Sequence, residues 1–465
     1  MVYSKPTKSF ARIANWLPAN HSILQSYLSK LKTEIEDIKA TRGEILHDDT
    51  IIAFRDLVQG DTVLRMLSRA MLTEVPNKEP YNKDPIGRKQ IRDFDELLDF
   101  MQVTLSKAPT WTDDGYKIGL VGFPLNAVLD WPMATQSGYA FFLNKDVNLA
   151  LKKILNKWKD YLHTRSSANV LTTDNWFSQE ALQKLVDDGN TIEGKTHTFP
   201  ELYNTRGSTE PPFNFDTWDN FFIREFNENI RPVEWKEDNS VVVNACESKP
   251  YALRRNVQEY DNFWLKGQNY SLHEMFEPTK QYVSNYGNKF IGGTVYQAFL
   301  SPTTYHRWHA PVSGTIKLHT IVDGTYYSEP TITGFTSSDG PDEAAPDEAQ
   351  GYLTQVATRA ILIIEADNAD LGLVAFIAVG MAEVSSCEFT PNIQSGKQLH
   401  VTKGEEIGTF HHGGSTHCLV FQKKAKLAWV TEAVPHSVPE ETEKNVPLKS
   451  ALAFVRRKDP NYNPA

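Results

Sequence analysis

The chain has 465 residues, of which 40% are hydrophobic and 23% charged, and its net charge is −10. This length predicts two or three structural units, and the composition is that of a globular protein. The negative charge argues against nucleic acid as a partner. Three cysteines (Cys246, Cys387 and Cys418) are too few for a disulfide framework, so we expect reduced, buried thiols.

The sequence contains no apolar segment that is long enough to span a membrane. The longest apolar run, residues 371–384, falls short of the about 20 residues that a spanning helix needs, and it contains Glu383. The first residues are basic and poor in acids, as in some transit peptides, but a helical pattern from Ile23 continues past Glu34 without a break. We therefore expect a mature cytoplasmic protein with no stable membrane anchor.

Up to about residue 210, apolar residues recur at the three- and four-residue spacing of helices. Such stripes begin near Ile23, Phe94 and Val147, and Asp48 and Ser178 precede two further stripes as helix caps. The stripes would also suit a partner helix, but most amphipathic stripes are core faces. We predict a helical N-terminal domain over residues 1–210.

After residue 240 the sequence becomes typical of strands, because β-branched and aromatic residues form short runs between Gly, Pro and Asp. The runs are too closely spaced for helical crossovers between parallel strands, which predicts antiparallel pairing. The fold class is therefore α+β, with a helical N-terminal half followed by a mostly antiparallel β domain over residues 211–465. The predicted strands are 241–245, 292–300, 314–322, 360–366, 371–380, 417–422 and 426–434.

Two segments invite a metal-binding interpretation. The acidic loop 337–351 lacks the ligand spacing of a known calcium loop, so a solvated loop is preferred and cation binding there stays open. His306 and His309 lie three residues apart, but Pro302 and Pro311 disfavour a helix, and an extended chain turns two such rings to opposite faces. We predict no metal site. The remaining alternatives are that the two histidines act in acid–base catalysis or that they are ordinary structural residues.

Gly413 and Gly414 stand directly before Ser415. A Gly-Gly-Ser sequence is typical of a hairpin end. Glycine also allows a close approach to the backbone, so the Ser415 hydroxyl can reach the carbonyl of Gly414. Attack there would split the chain by an N-to-O acyl shift, a reaction that needs a base for the hydroxyl and a carboxylate to orient that base. Taken alone, the sequence favours the hairpin end, and the acyl shift is the alternative.

Four stretches that follow in order resemble the phosphatidylserine decarboxylase family, whose members depend on a pyruvoyl group. They are FDTWDNFFIREFNENIRPV (215–233), VVVNACES (241–248), TYHRWHAPVSG (304–314) and KGEEIGTFHHGGSTHCLVF (403–421). One departure is Glu247, which stands where the family usually has aspartate. The long helical half without an anchor is similar to a soluble fungal subgroup that acts on aromatic L-amino acids.

The resemblance implies a maturation step. The chain would cut itself between Gly414 and Ser415, leaving a large chain 1–414 bound to a small chain 415–465. Ser415 would become the covalent pyruvoyl cofactor, and the mature protein would be a carboxy-lyase for an aromatic L-amino acid, with tryptophan as the leading candidate. The alternatives are a phosphatidylserine decarboxylase that makes phosphatidylethanolamine, and a non-enzymatic binding module with the same fold.

The resemblance also implies roles for individual residues. His309 would take the proton of the Ser415 hydroxyl, Glu247 would orient His309, and His306 would position the substrate or protonate the carbanion. Loss of the charged substrate carboxylate favours an apolar pocket. Sequence neighbours of the histidines are its expected walls, with core packing as their alternative role. They are Trp308, Phe299 and Tyr305.

A thiol enzyme is the remaining rival. Cys418 directly follows His417, but adjacent residues of a strand face opposite sides of the sheet, so the pair cannot easily share a hydrogen bond. A buried structural cysteine is the preferred interpretation.

Overall fold

A computed structural model describes most of the chain. The described ranges are 21–76, 91–117, 122–192, 194–260, 270–328, 350–384, 386–435 and 445–456. The acidic loop proposed above as a possible cation site lies outside these ranges, apart from its last two residues. The basic N-terminal residues 1–20 also lie outside them.

The helices begin at the caps that the sequence predicts. Asp48 accepts a hydrogen bond from the N–H of Thr50, and Ser178 accepts one from the N–H of Ala181, so both satisfy donors that a helix start leaves free. The helices are α1 (His21–Arg42), α2 (Asp49–Gly60), α3 (Thr62–Ala70), α4 (Phe94–Thr104), α5 (Asp113–Lys117), α6 (Pro124–Met133), α7 (Gln136–Leu143), α8 (Lys145–Leu162), α9 (Gln179–Gly189), α10 (Phe199–Leu202), α11 (Trp218–Phe222), α12 (Leu272–Met275), α13 (Gln281–Gly287), α14 (Gln350–Val356) and α15 (Pro391–Gln394). Short 3-10 helices cover Arg165–Val170, Asn288–Phe290 and Thr431–Ala433.

The strands follow the β-rich runs of the second half. They are β1 (Val241–Val243), β2 (Lys249–Arg255), β3 (Thr294–Leu300), β4 (Arg307–His309), β5 (Gly314–Val322), β6 (Arg359–Ala366), β7 (Leu373–Gly380), β8 (Ser386–Phe389), β9 (His400–Val401), β10 (Glu406–His411), β11 (Ser415–Phe421), β12 (Leu427–Trp429) and β13 (Ala451–Val455).

A seven-stranded sheet forms the centre of the described structure, in the order β2-β3-β11-β7-β6-β5-β9. Two three-stranded sheets accompany it, in the orders β1-β13-β12 and β4-β10-β8. The pairs between these strands are antiparallel. Strand β11 is paired along its whole length with β3 on one side and β7 on the other. The segment after the two glycines is therefore held in the middle of the large sheet.

The central sheet separates two hydrophobic cores. One face packs against the helical half, where Leu155 of α8 and Val295 of β3 belong to the same cluster. The other face packs against the small sheets, where Leu419 of β11 and Trp308 of β4 share a second cluster. Fully burying a side chain of this size is worth roughly 1.5–3 kcal/mol. The helical half and the β half are thus joined by a continuous apolar layer.

The predicted α+β fold class is confirmed, with a helical first half and antiparallel sheets in the second. The strand predicted over 314–322 has those bounds, whereas the one predicted over 426–434 is limited to Leu427–Trp429. The three cysteines are free and buried, as expected. Among the described helices, none combines the length and the apolar character of a membrane span. The domain division near residue 210 stays a prediction.

Candidate active site

Ser415 is the first residue of β11, in the middle of the central sheet. Its backbone lies between Leu300 of β3 and Gly380 of β7, and its side chain is fully buried. The hydroxyl oxygen has no hydrogen-bond partner among the described residues. A buried polar atom without a partner costs about 1–3 kcal/mol. Stability alone therefore does not explain a serine at this position, as is common for reactive groups.

The segment before Ser415 is enclosed on two sides. Gly413 has a φ of +114°, and a β-carbon added to it would lie 3.2 Å from the carbonyl oxygen of Gly122 and 3.2 Å from the ring of Phe123. It would also lie 3.5 Å from Cγ2 of Val384, which belongs to the β half. Only glycine fits this backbone conformation and this space without strain. Residues of the helical half thus contact the segment in which the resemblance predicts cleavage.

His309 is buried at the end of β4, and its backbone N–H donates to the carbonyl of Ala245. Its Nδ1 lies 2.9 Å from the carbonyl oxygen of Gly404. Because a carbonyl can only accept, Nδ1 carries the proton and Nε2 has the free electron pair. The hydroxyl of Tyr305 lies 3.3 Å from Nε2. Burial lowers the pKa of His309 to about 3, so the ring is neutral at physiological pH.

Glu247 is buried, and both of its carboxylate oxygens are satisfied. Arg231 donates from Nε to Oε2 and from a terminal nitrogen to Oε1, each over 2.8 Å. The Thr191 hydroxyl donates to Oε1 over 2.7 Å, and the N–H of Leu448 donates to Oε2 over 2.8 Å. Among the hydrogen bonds of the described residues, none joins Glu247 to His309. The structure therefore does not bring these two predicted partners into direct contact.

An indirect path connects the two residues. The guanidinium of Arg231, held by Glu247, lies 4.4 Å from the ring centre of Phe226. Phe226 stacks on Tyr305, with ring centroids 4.5 Å apart and planes inclined by 18°. Tyr305 in turn contacts Nε2 of His309. Glu247 thus fixes the side chains that surround the imidazole rather than the imidazole itself.

His306 lies against helix α11. Its ring stacks on Phe222 of α11, with centroids 4.1 Å apart and planes inclined by 17°. Nε2 is 3.4 Å from the carbonyl oxygen of Pro302, whereas the buried Nδ1 has no hydrogen-bond partner among the described residues. Burial, together with the charge of Arg224, lowers the pKa of His306 to about 3. The ring is therefore a neutral group with a free nitrogen.

Two histidines just before the glycines share one carboxylate. Oδ1 of Asp219, on α11, lies 2.7 Å from Nδ1 of His411 and 2.6 Å from Nε2 of His412. Burial alone would raise the pKa of Asp219, but the hydrogen bonds from both rings outweigh it and hold that pKa below its ordinary value. Such short distances are those of charge-assisted hydrogen bonds.

The same cluster has the spacing of a metal site. Ligand atoms of His163, Asp219 and His411 lie within 4.8 Å of one another, and Nε2 of His163 is 3.4 Å from Oδ2 of Asp219. Two histidines and a carboxylate suit several transition metals. The absence of a metal site, expected from the sequence, stays a prediction.

The three aromatic residues expected to wall a pocket are not brought together. Trp308 packs on the face of the central sheet away from the helices, against Phe410, with ring centroids 4.9 Å apart. Phe299 belongs to the core on the helical face. Tyr305 touches a candidate catalytic residue, through the contact of its hydroxyl with His309. Core packing, the alternative stated above, describes Trp308.

Comparison with known proteins places this geometry in a family. The sequence patterns of phosphatidylserine decarboxylase match residues 48–185 and 218–437. The decarboxylase iboD of Amanita muscaria (strain Koide BX008) is 41% identical over 343 residues, which cover 72% of this chain and 92% of that protein. The chain belongs to the phosphatidylserine decarboxylase family. The first matched range lies in the helical half, so this half is part of the family resemblance as well.

Two relatives carry the name L-tryptophan decarboxylase. The one from Psilocybe cubensis is 29% identical over 433 residues, which cover 90% of this chain and 91% of that protein. The one from Psilocybe cyanescens is 32% identical over 332 residues, which cover 69% of this chain and 71% of that protein. Relatives of this kind, together with the family patterns, make the protein a decarboxylase.

The surroundings of Ser415 fit the pyruvoyl group on which this family depends. The hydroxyl that would be converted is buried and has no partner among the described residues, so its loss breaks no hydrogen bond there. The backbone after it stays paired with two neighbouring strands, which would hold a new chain end in place. Within the described residues, nothing in this arrangement conflicts with a pyruvoyl group at position 415.

The contacts of several residues around the site cannot be predicted from the sequence. Asp219 and Arg231 lie in the stretch 215–233 that carries the resemblance, but no local pattern shows which histidine or acid they bind. In the sequence, the adjacent His411 and His412 directly before the glycines are the feature that indicates an acidic partner. For His417 and Cys418 the prediction is confirmed, because His417 stacks on Phe376 and Cys418 faces the helical core.

Proposed function

We propose that this protein is a pyruvoyl-dependent decarboxylase of aromatic L-amino acids, with tryptophan as the leading substrate. The observation that carries the proposal is the Ser415 hydroxyl, which is buried without a partner among the described residues and follows two glycines. The family patterns and the two relatives named L-tryptophan decarboxylase support the reaction and the substrate class.

Maturation begins at Ser415. Its Oγ attacks the carbonyl carbon of Gly414, an O–C bond forms and the peptide C–N bond breaks, so that the chains are joined by an ester. Nε2 of His309 takes the hydroxyl proton and passes it to the new amine. In the structure Nε2 contacts Tyr305, and the Ser415 hydroxyl has no partner among the described residues, so this step requires His309 to exchange Tyr305 for Ser415. The Cα proton of Ser415 is then lost and its Cβ–Oγ bond breaks, so that Gly414 leaves as a carboxylate and position 415 becomes a dehydroalanine. This enamine takes up water and releases ammonia, which leaves the pyruvoyl end.

The two chains, 1–414 and 415–465, stay together after cleavage. Strand β11 is buried throughout and lies between β3 and β7, which belong to the large chain. Strand β13 pairs with β1 of the large chain in the same way. Separation would expose these buried apolar strands to water, which is strongly unfavourable.

In turnover, the pyruvoyl group supplies an electron sink for the loss of carbon dioxide. We assign substrate positioning to His306, whose Nδ1 is buried without a partner in the described part of the chain and whose ring is fixed by Phe222. Glu247 holds the surroundings of His309 through Arg231. The apolar packing around these rings excludes water, which favours the loss of the substrate's carboxylate charge.

A substrate comparison tests the proposal. Purified wild type receives L-tryptophan, L-tyrosine or L-phenylalanine in solution, or phosphatidylserine in liposomes, and released carbon dioxide is measured, with Ser415→Ala as the inactive control. We expect turnover of the dissolved aromatic amino acids, fastest with tryptophan, and none with the lipid. Turnover of phosphatidylserine alone would make the protein a lipid decarboxylase and overturn the proposed substrate class.

A further inference from the structure

Glu383 is a buried acid that the mechanism above does not use. It lies in the turn between β7 and β8, and its side chain is fully buried. Oε1 accepts a hydrogen bond from the N–H of Asn126, in the first turn of α6, over 2.5 Å. Oε2 is buried and has no hydrogen-bond partner among the described residues. The backbone N–H groups of Leu125 and of Glu383 itself also act on the carboxyl and lower its pKa. Backbone donors therefore fix one side of the carboxyl group, while Oε2 keeps no hydrogen-bond partner in the described part of the chain.

The position of Glu383 is beside the cleavage segment. The turn follows Gly380, which pairs with Ser415, and its next residue, Val384, lies 3.5 Å from where a β-carbon of Gly413 would be. Phe123, which directly precedes α6, lies 3.2 Å from the same position. Glu383 bridges these two flanking elements through its bond to α6. The carboxyl group thus lies where the two halves of the protein meet around the future pyruvoyl end.

Other unsatisfied polar atoms lie with it. Oδ1 of Asn126 and the hydroxyl of Tyr327 are both buried without a partner in the described part of the chain. Burial raises the pKa values of Tyr27 of α1 and of Tyr327, and the nearby Glu383 raises both further. Buried polar atoms are rarely left unpaired in proteins. A group of them next to a reactive position is suited to a ligand that brings several N–H donors.

We propose that Glu383 binds the ammonium group of the amino-acid substrate through Oε2 and takes one proton from it. In this step an N–H bond of the ammonium breaks, its electron pair stays on nitrogen and the proton moves to Oε2. The amine becomes nucleophilic, as reaction with a ketone requires. The proton returns when the product leaves as an ammonium ion. This inference rests on the proposed function, because it needs an amine substrate and a pyruvoyl end at position 415.

The electrostatics of the carboxyl group suit this transfer. Burial raises the pKa of Glu383 to about 8. An α-amino group of a peptide titrates at about 8 as well, whereas an ordinary glutamate titrates at about 4.3. The ammonium of a free amino acid is somewhat less acidic than that of a peptide, because its own carboxylate stabilises the charge. A solvated glutamate is far too weak a base to deprotonate it, and burial brings the pKa of Glu383 much closer to that of the ammonium.

The first test separates turnover from maturation. Glu383→Gln keeps an acceptor for Asn126 but removes the oxygen that can take a proton. We expect this variant to cut itself like wild type by intact mass, and its kcat/KM for the aromatic amino acid to fall about 100-fold or more, the range typical of acid–base residues. The matched control is Asp99→Asn, a buried acid in the helical half that pairs with Lys39 and His47. It should retain wild-type kcat/KM.

The second test measures binding without turnover. The uncut Ser415→Ala chain and the Ser415→Ala/Glu383→Gln chain are titrated calorimetrically with an aryl-ethylamine and with the corresponding arylpropionate, which lacks the amine. We expect the Glu383 substitution to weaken the amine at least tenfold and to leave the arylpropionate unchanged. Equal loss for both ligands would overturn the assignment to the ammonium group.

The outcomes distinguish this inference from the proposed function. A wild type that stays uncut, or that ignores amino acids, contradicts the proposed function itself. An active wild type with an equally active Glu383→Gln variant overturns the role of Glu383 alone, as does a folded variant that fails to cut itself. If the Gln variant does not fold, Glu383→Asp replaces it. It keeps a carboxyl group but withdraws it from the ammonium by one methylene, so we expect weaker amine binding and slower turnover. Wild-type binding and turnover in that variant would count against the proposal.

Discussion

Arg231 donates one hydrogen bond to each carboxylate oxygen of Glu247, and both bonds are 2.8 Å long. The two side chains are only 4% and 1% exposed. The acid that the family resemblance assigns to a histidine is thus bound to an arginine in this structure. Glu247 influences His309 through the stacked rings of Phe226 and Tyr305. We therefore propose Glu247 as a positioning residue for the imidazole.

Removing Arg231 should destabilise the protein severely. Arg231→Ala leaves the carboxylate of Glu247 buried without its main partner, and breaking a buried pair costs about 3–5 kcal/mol. We expect a loss of this size in the free energy of unfolding, measured with urea on the uncut Ser415→Ala chain. The control is Arg206→Ala, because Arg206 and Asp216 form an exposed pair that is worth at most about 1 kcal/mol. Similar losses in both variants would show that the buried Arg231–Glu247 pair contributes no more to the free energy of unfolding than the exposed pair does.

Neutralising Glu247 should slow maturation. Glu247→Gln keeps one acceptor but loses the charge that holds Arg231, so Tyr305 and His309 lose their fixed surroundings. We expect self-cleavage at least tenfold slower than in wild type, followed by intact mass over time. Thr191→Val, which removes only one neutral hydrogen bond to the same carboxylate, should have a smaller effect. Unchanged maturation of Glu247→Gln would remove Glu247 from the scheme.

Gly413 should be irreplaceable for a reason that its conformation alone does not provide. Gly413→Ala forces a β-carbon to within 3.2 Å of Gly122 and Phe123 at a positive φ. Gly207 also has a positive φ, but a β-carbon there meets nothing within 4 Å. We expect Gly413→Ala to slow self-cleavage strongly, whereas Gly207→Ala carries only the backbone strain of about 1–2 kcal/mol and cuts normally. Normal cutting by both variants would contradict the crowding described here.

His417 should make the fold sensitive to acid. Burial lowers its pKa to about 3 from an ordinary 6.5, and neither ring nitrogen has a partner in the described part of the chain. Between about pH 6.5 and pH 3, His417 is protonated in the unfolded chain but neutral in the folded chain. The free energy of unfolding therefore falls as pH drops through this window, by about 1.4 kcal/mol per pH unit for this histidine.

Urea unfolding of the uncut Ser415→Ala chain between pH 7 and pH 4 measures this slope. His417→Phe should reduce it by about that amount. His400→Gln should leave it unchanged, because the His400 side chain is already 51% exposed to water in the folded chain. A slope that is the same with and without His417 would show that the ring is protonated in the fold.

The spacing of apolar residues and the positions of Gly, Pro and Asp are enough to predict the architecture. They show where each helix or strand begins and ends and which of its faces is buried. The strand Gly314–Val322 and the capped helix Gln179–Gly189 follow directly from such patterns. The partners within the site do not. Arg231 reaches Glu247 across 16 residues, and Asp219 reaches His411 across 192, through packing that no local pattern encodes. The resemblance points to Ser415, His306 and His309 as candidate site residues. It also implies a contact between Glu247 and His309, whereas Glu247 binds Arg231 in the structure.

The central claim is that Ser415 becomes a chain end, and intact mass of the purified protein tests it most directly. We predict two chains, 1–414 and 415–465, with the smaller one blocked at its N-terminus. Ser415→Ala should give a single uncut chain of 465 residues with the same fold. A wild type that remains one uncut chain yet releases carbon dioxide from aromatic amino acids would contradict the account.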